Sequence, residues 1–148
     1  MNILITGCNG QLGNEMQLLE KNYPQHQFYN TDVAELDITD QAAIESFVAD
    51  NEIDGIGNCA AYTAVDKAES SKELCTSLNT VAPAYLAAAV EKRGGWIIQV
   101  STDYVFNGKA HTPYREDDTP SPDSVYGSTK LAGELGVQKF CSRAMIIR

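Results

Sequence analysis

Residues 1–16 read MNILITGCNGQLGNEM, and the fold follows from how this stretch is interpreted. Ile3-Leu4-Ile5 is a short apolar run of the kind that forms a buried parallel strand; it ends at Thr6 and gives way to glycines at 7, 10 and 13. Asn14 to Lys21, with Met16 and Leu19 three apart, then has helical spacing. A strand, a tight turn and a helix N-terminus in succession make an anion cradle, because first-turn N–H groups have no partner inside the helix and the dipole presents its positive end there. In that geometry Gly7 makes the turn, Gly10 lets a pyrophosphate approach the backbone with no Cβ in the way, and Gly13 lets the helix lie close on the strand. The spacing is G-x-x-G-x-x-G, and three glycines at period three also occur in ordinary loops. Their place directly after an apolar strand, with an acid about twenty residues on, gives the pattern its meaning.

Outward from the cradle, Gln27 to Thr31 is a second strand, and it delivers Asp32 to its carboxyl end. A dinucleotide site places an acid there to accept hydrogen bonds from the adenosine ribose hydroxyls. A carboxylate at that point repels a 2′-phosphate, and no Arg or Lys lies between Lys21 and Lys67 to compensate, so NADH is favoured over NADPH. The plainer reading of Asp32 is a turn residue or cap. Leu36-Asp37-Ile38 alternates as a short strand, followed by Thr39-Asp40 as an N-cap and by Ile44, Phe47 and Val48 at helical spacing. Ile53 to Asn58 is a weaker strand, with glycines at 55 and 57 where branched side chains are expected, and it leads into the small residues Cys59 to Thr63.

Asp66 to Glu91 has helical apolar spacing at Leu74, Leu78, Val81, Leu86 and Val90, with Pro83 marking a start or a kink. Gly94-Gly95 ends that helix, and Trp96 to Val100 is the clearest buried strand. The polar stretch Asn107 to Ser124 is longer than a simple connector and is expected to be a lid or substrate loop. Val125 to Phe140 is helical, and Ala144 to Arg148 begins another strand. Strands alternating with helices give an α/β fold with a doubly wound, mainly parallel sheet, helices on both faces, and ligand sites at the carboxyl ends of the strands.

Composition excludes several function classes. The net charge of −9 leaves no basic stripe to neutralise phosphates, which argues against nucleic-acid or anionic-membrane partners. The 43% hydrophobic content is ordinary for a soluble globular domain; no apolar run has the length of a membrane span, and the N-terminus turns into a strand and glycine turn where a signal peptide would stay apolar, so a cytoplasmic protein is expected. Cys8, Cys59, Cys75 and Cys141 form no C-x-x-C pair and have no histidine at ligand spacing, so free thiols and no metal are expected.

Tyr126 and Lys130 are four apart on a helix and so share a face. A tyrosine, with a pKa of about 10, becomes useful in proton transfer when an ammonium stabilises its phenolate. Thr102 or Ser101, at the end of the preceding strand, supplies a hydroxyl to hold a substrate oxygen. Four further stretches accompany the glycine turn: L-D-I-T at 36–39, N-C-A-A-Y-T-A-V-D-K-A-E at 58–69, S-T-D-Y-V-F at 101–106 and V-Y-G-S-T-K-L-A-G-E at 125–134. Through these the whole chain resembles the extended short-chain dehydrogenases/reductases, and within them the dTDP-4-dehydrorhamnose reductase family.

The resemblance implies a Rossmann-like cofactor-binding domain over residues 1–148. NADH, or NADPH, would lie against Gly7, Gly10, Gln11, Leu12, Gly13, Asp32, Asp37, Ile38, Ala60, Ala61 and Tyr62, with Tyr126 and Lys130 at the nicotinamide end. Thr102, Tyr126 and Lys130 would be catalytic, and Thr102 and Asp103 would touch a dTDP-sugar. The implied reaction reduces the 4-keto group of dTDP-4-dehydro-6-deoxy-L-mannose to give dTDP-L-rhamnose. Such reductases continue past this length into a region that forms most of the sugar-nucleotide pocket, so the chain is expected to be an N-terminal part that binds cofactor without turnover. It is also expected to self-associate as a homo-oligomer through its final strand. Glu15 corresponds to a metal-linked contact in some relatives, but its partner acids are missing here and no metal is expected. Two rival readings are a nucleotide-sugar epimerase or dehydratase, and a non-catalytic regulatory subunit on the same fold.

Overall fold

The computed structural model describes residues 1–148. Five strands, β1 (Asn2–Thr6), β2 (Gln27–Thr31), β3 (Gly55–Asn58), β4 (Trp96–Val100) and β5 (Ala144–Ile147), form one parallel sheet in the order β2-β1-β3-β4-β5. The helices are α1 (Gln11–Glu20), α2 (Gln41–Asp50), α3 (Val65–Ala68), α4 (Lys72–Thr76), α5 (Ala82–Glu91) and α6 (Val125–Phe140). The β1-to-β2 connection steps one way along the sheet and every later connection steps the other way. Right-handed crossovers therefore put α1 on one face and α2, α5 and α6 on the opposite one. The packing agrees, with α5 touching both α2 and α6.

The core fills the α2, α5 and α6 face. Leu4, Ile56 and Ile97 lie side by side in register on β1, β3 and β4, and Ile44, Val48, Leu86, Val90 and Val137 close over them. Two residues further along the strands, on the same face, the next row is polar. Thr6, Asn58 and Gln99 are in register and no more than 2% exposed. The Thr6 hydroxyl donates to Asn58 Oδ1 at 2.6 Å, and Asn58 Nδ2 donates to Gln99 Oε1 at 2.7 Å. Gln99 Nε2 then donates to the Val100 carbonyl at 2.9 Å.

Three expectations change. Leu36 to Ile38 is no strand. The amides of Glu35 and Leu36 turn back to the Asp32 carbonyl, and the alternation serves a loop that tucks Leu36 and Ile38 into the core. Asp66 to Glu91 is not one helix but α3, α4, a π-helical turn at Ser77–Val81, and α5, which has Pro83 in its first turn. The π turn shifts the helical phase, so Leu74 is 52% exposed while Cys75 is buried. The glycines of β3, which look like a weakness in the sequence, have a packing reason at residue 55. The Trp96 indole of the neighbouring strand occupies the space a Cβ on Gly55 would need.

Candidate functional site

The cradle at the end of β1 has the expected construction. Gly7 has φ +65°, and a Cβ there would meet the Ala60 backbone at 2.7 Å. A Cβ on Gly13, inside α1, would run into the Gly7 carbonyl oxygen and the backbone of Cys8, so the helix can lie this close only with glycine at that position. Gly10 is the N-cap residue of α1 in extended conformation and contributes no side-chain cap, which leaves the first-turn amides of the helix available to an anion.

Beside this turn opens a cavity of about 630 Å³. Gly7, Gly10, Gln11, Leu12, Asp32, Asp37, Ile38, Ala60 and Ala61 line it, together with Val33, Leu36, Cys59, Thr63 and Leu78. Nine of the residues expected at the cofactor are thus brought to one cavity. Gly13, Tyr62, Tyr126 and Lys130 are outside its lining; Gly13 acts through close packing, and Tyr62 lies in the loop that follows β3. Asp32 does two things at once. Its carboxylate accepts the N–H groups of Asn9 at 3.1 Å and Val33 at 2.8 Å, fastening the glycine turn to the end of β2, and it also faces the cavity. Asp37 accepts both the Thr39 hydroxyl at 2.7 Å and the Thr39 amide at 2.8 Å, and these bonds hold its carboxyl below the usual range. No basic side chain is among the fourteen lining residues.

The second half of the site stands at the ends of β4 and α6. Thr102 follows β4 and caps a 3₁₀ turn over Asp103–Val105: its hydroxyl accepts the Tyr104 amide at 3.2 Å and donates to Asp103 Oδ1 at 3.2 Å. Asp103 also borders a second cavity of about 620 Å³, reached by Arg115, Glu116 and Arg148. Ser124 caps α6 through the Gly127 amide, at 3.0 Å, and fixes the first turn that carries Tyr126. The Tyr126 ring is 8% exposed and meets Tyr104 edge to face at 5.6 Å. One turn on, Lys130 is 4% exposed, and its Nζ donates to the Val100 carbonyl at 2.6 Å. That carbonyl is the one Gln99 also reaches, so the polar row continues unbroken from Thr6, under the glycine turn, to the Lys130 ammonium.

The electrostatics differ from the sequence expectation. Burial pushes the Tyr126 phenol above its ordinary value; the neighbouring Thr102 hydroxyl works the other way, and Asp103 adds to the rise. Lys130 is brought down to about 8, first by burial, with Glu134 opposing the fall. The ammonium lies against a carbonyl and does not lower the Tyr126 phenol here.

A family model described as RmlD substrate binding domain matches residues 1–148. The chain belongs to this family. It is similar to the dTDP-4-dehydrorhamnose reductase of Streptomyces griseus, at 44% identity over 135 residues, which is 90% of this chain and 44% of that protein. The crystal structure of a Clostridium acetobutylicum dTDP-4-dehydrorhamnose reductase superposes with a TM-score of 0.97 at 44% identity, covering 100% of this chain and 52% of the other. The Bacillus anthracis dTDP-4-dehydrorhamnose reductase in complex with NADP gives a TM-score of 0.94 at 36% identity, covering 99% of this chain and 52% of the other. The chain spans about half the length of the curated relatives it matches. No helix of the structure is long and apolar enough to cross a membrane.

Against that family background, the side chains that support the site are the ones the sequence did not advertise. Asn79, 1% exposed in the π turn, donates to the Tyr62 carbonyl at 3.0 Å and accepts the Tyr62 amide at 2.9 Å, clamping the loop after β3. Thr80, from the same turn, donates to the Thr129 carbonyl of α6 at 2.8 Å. A π turn of this kind is common at functional sites, but its signal in a sequence is only a phase slip between apolar residues.

Proposed function

We propose that residues 1–148 form the nicotinamide-dinucleotide-binding part of a reductase acting on the 4-keto group of dTDP-4-dehydro-6-deoxy-L-mannose, with dTDP-L-rhamnose as product. One observation carries this reading: parallel strands bring the glycine cradle of β1, the small-residue loop of β3 and the Thr102 end of β4 to a single edge of the sheet, tied together by the polar row that ends on Lys130. The residues suit the cofactor. The cradle offers amides and no Cβ to a pyrophosphate, Asp32 offers a carboxylate to ribose hydroxyls, Asp37 and Ile38 lie where the adenine would go, and the cavity has room for a nucleoside.

The cofactor when bound supplies the hydride that reduces the ketone carbon. Tyr126 gives its phenolic proton to the oxygen that becomes negative, so that hydride and proton together turn the ketone into an alcohol. Thr102 holds that oxygen in reach and, as a hydroxyl donor, favours the phenolate left behind, while Lys130 binds the nicotinamide ribose. Catalysis of this kind needs the reacting atoms fixed about 3 to 3.5 Å apart, which requires a sugar-nucleotide pocket as well as these side chains. Asp103 and the cavity it borders are the part of that pocket this chain contributes.

The two carboxylates and the absence of any basic side chain in the lining favour NADH over NADPH. Calorimetric titration of the chain with each cofactor tests the reading. Binding of NADH more tightly than NADPH is expected. Equal or inverted affinities would overturn the preference, and no binding of either would overturn the assignment.

A further inference from the structure

Glu134 stands four residues beyond Lys130 on α6, so the two side chains share a helical face, and they are 1% and 4% exposed. A carboxylate so far from water must be matched by donors. The Ser101 hydroxyl donates to it in a short hydrogen bond, and the Arg148 guanidinium forks onto it, with Nη2 at 2.7 Å from Oε2 and Nε at 3.1 Å from both oxygens. Arg148 is itself held over the Phe106 ring, 5.3 Å from its centroid. Glu134 forms its ion pair with Arg148 and not with Lys130, whose ammonium is on the Val100 carbonyl. The two buried charges of α6 therefore grip consecutive residues of one strand end, Val100 and Ser101, and the next residue is Thr102.

We propose that Glu134 is a positioning residue of the reductase site: by holding Ser101 it aims the Val100 carbonyl at Lys130, and its negative charge keeps the Lys130 ammonium protonated. This rests on the reading of Lys130 as the group at the nicotinamide ribose. The charge balance around the lysine supports it. Burial draws Lys130 down to about 8, and Glu134 is the larger of two influences that resist the fall; the other is Cys75 from α4. Tyr126 on α6 and, beside it, Asp103 and Tyr104 after β4 are further titratable side chains of the site, while Arg148, directly after β5, faces Glu134 from the far side. With its midpoint near 8, Lys130 loses charge just above neutrality, so any change in the charge of this carboxylate is felt where the site works.

The test is the titration of Lys130 in the 148-residue chain, followed by NMR of lysines labelled at Cε, with the Lys130 signal assigned from Lys130→Met. The parent midpoint is expected near 8. Glu134→Gln removes the charge but keeps the shape, and moves the midpoint acidward; Arg148→Gln removes the opposing charge and moves it in the other direction. Opposite signs are the signature, since a merely structural carboxylate would change the melting temperature in both variants and leave the midpoint where it was. NADH affinity follows the titration, becoming about three- to ten-fold weaker than the parent's at pH 8 in Glu134→Gln and converging with it at pH 6. A midpoint unmoved in either variant overturns the proposal. If Glu134→Gln fails to fold, the Arg148→Gln midpoint decides alone, because Arg148 keeps a quarter of its side chain in water. Lysine midpoints that move as stated in a chain that binds no nicotinamide cofactor would instead remove the cofactor assignment and leave the Glu134–Lys130 coupling in place.

Discussion

The glycine cradle and the α6 site lie along the same edge of the sheet and are built from opposite materials. The cradle is backbone: a turn at Gly7, an uncapped helix start at Gly10, a close crossing at Gly13, and an aspartate that fastens the turn. No buried charge takes part. The α6 site is made of buried polar and charged side chains, Lys130, Glu134 and Thr129, held by carbonyls, hydroxyls and one arginine. A backbone device is fixed mainly by sterics. A device of buried charges is tuned by every neighbour and changes with pH, and these contrasting sensitivities can be measured.

The largest effect is expected at the chemical group itself. In a version of the chain extended to the length of its relatives, Tyr126→Phe should lower turnover by roughly 10²-fold to 10⁴-fold while NADH binds nearly as before. Steady-state rates and a cofactor titration together check this, and near-normal turnover would mean that the proton comes from another group. Gly13→Ala comes next. The new methyl would collide with backbone atoms of Gly7 and Cys8 that cannot swing away, so a loss of about 2–4 kcal/mol in urea unfolding is expected, with NADH binding lost as the cradle opens.

The pH response of the α6 site is of a similar or slightly smaller size. Lys130 titrates near 8 in the folded chain and near 10.5 when unfolded, so between those values the unfolded chain binds more protons and folding is favoured as pH rises. Compared with Lys130→Met, the parent should gain about 2–3 kcal/mol between pH 8 and pH 10. Burial raises the Tyr126 phenol, which works in the opposite sense above pH 10, so the measurement belongs below that point. A parallel pH dependence in parent and variant would show that the lysine is not titrating as placed. The smallest effect is expected at Gly57→Ala. Its methyl would press on the flexible end of Ile5, at 2.9 Å, with the Leu4 carbonyl at an ordinary 4.0 Å, and should cost about 1 kcal/mol or less by the same urea assay. A cost like that of Gly13→Ala would put the two glycines in the same class.

The same contrast explains what could be read from the sequence. The cradle was legible because its rules are local: spacing, a preceding strand and a following helix fix the turn. Tyr126, Lys130 and Thr102 stand out in the sequence as residue types at fixed offsets. Their supports do not. Asn79 reaches Tyr62 across 17 positions, Ser101 reaches Glu134 across 33, and Asn58 reaches Gln99 across 41, and no local pattern announces such pairs. Leu36 to Ile38 misled because two apolar residues either side of a polar one suit a loop folded over a core as well as a strand. The broken helix from Val65 to Glu91 misled because summed apolar periodicity averages over a π turn.

The row from Thr6 through Asn58 to Gln99 has a consequence for how the sheet finds its alignment during folding. Register in a parallel sheet is normally dictated by which side chains must be buried, and a one-residue slip is punished because it turns every side chain to the wrong face. β3 carries little such information in its own side chains, since Ile56 is its sole large apolar residue and Gly55 contributes only the room that Trp96 fills. What it has instead is Asn58, whose amide must accept from Thr6 on one side and donate to Gln99 on the other. Slide β3 by one residue and three buried polar groups lose their partners at once. The strand least constrained by oil is thereby keyed by polarity, and the key stands at the end of the sheet that carries the glycine cradle and the Thr102 turn.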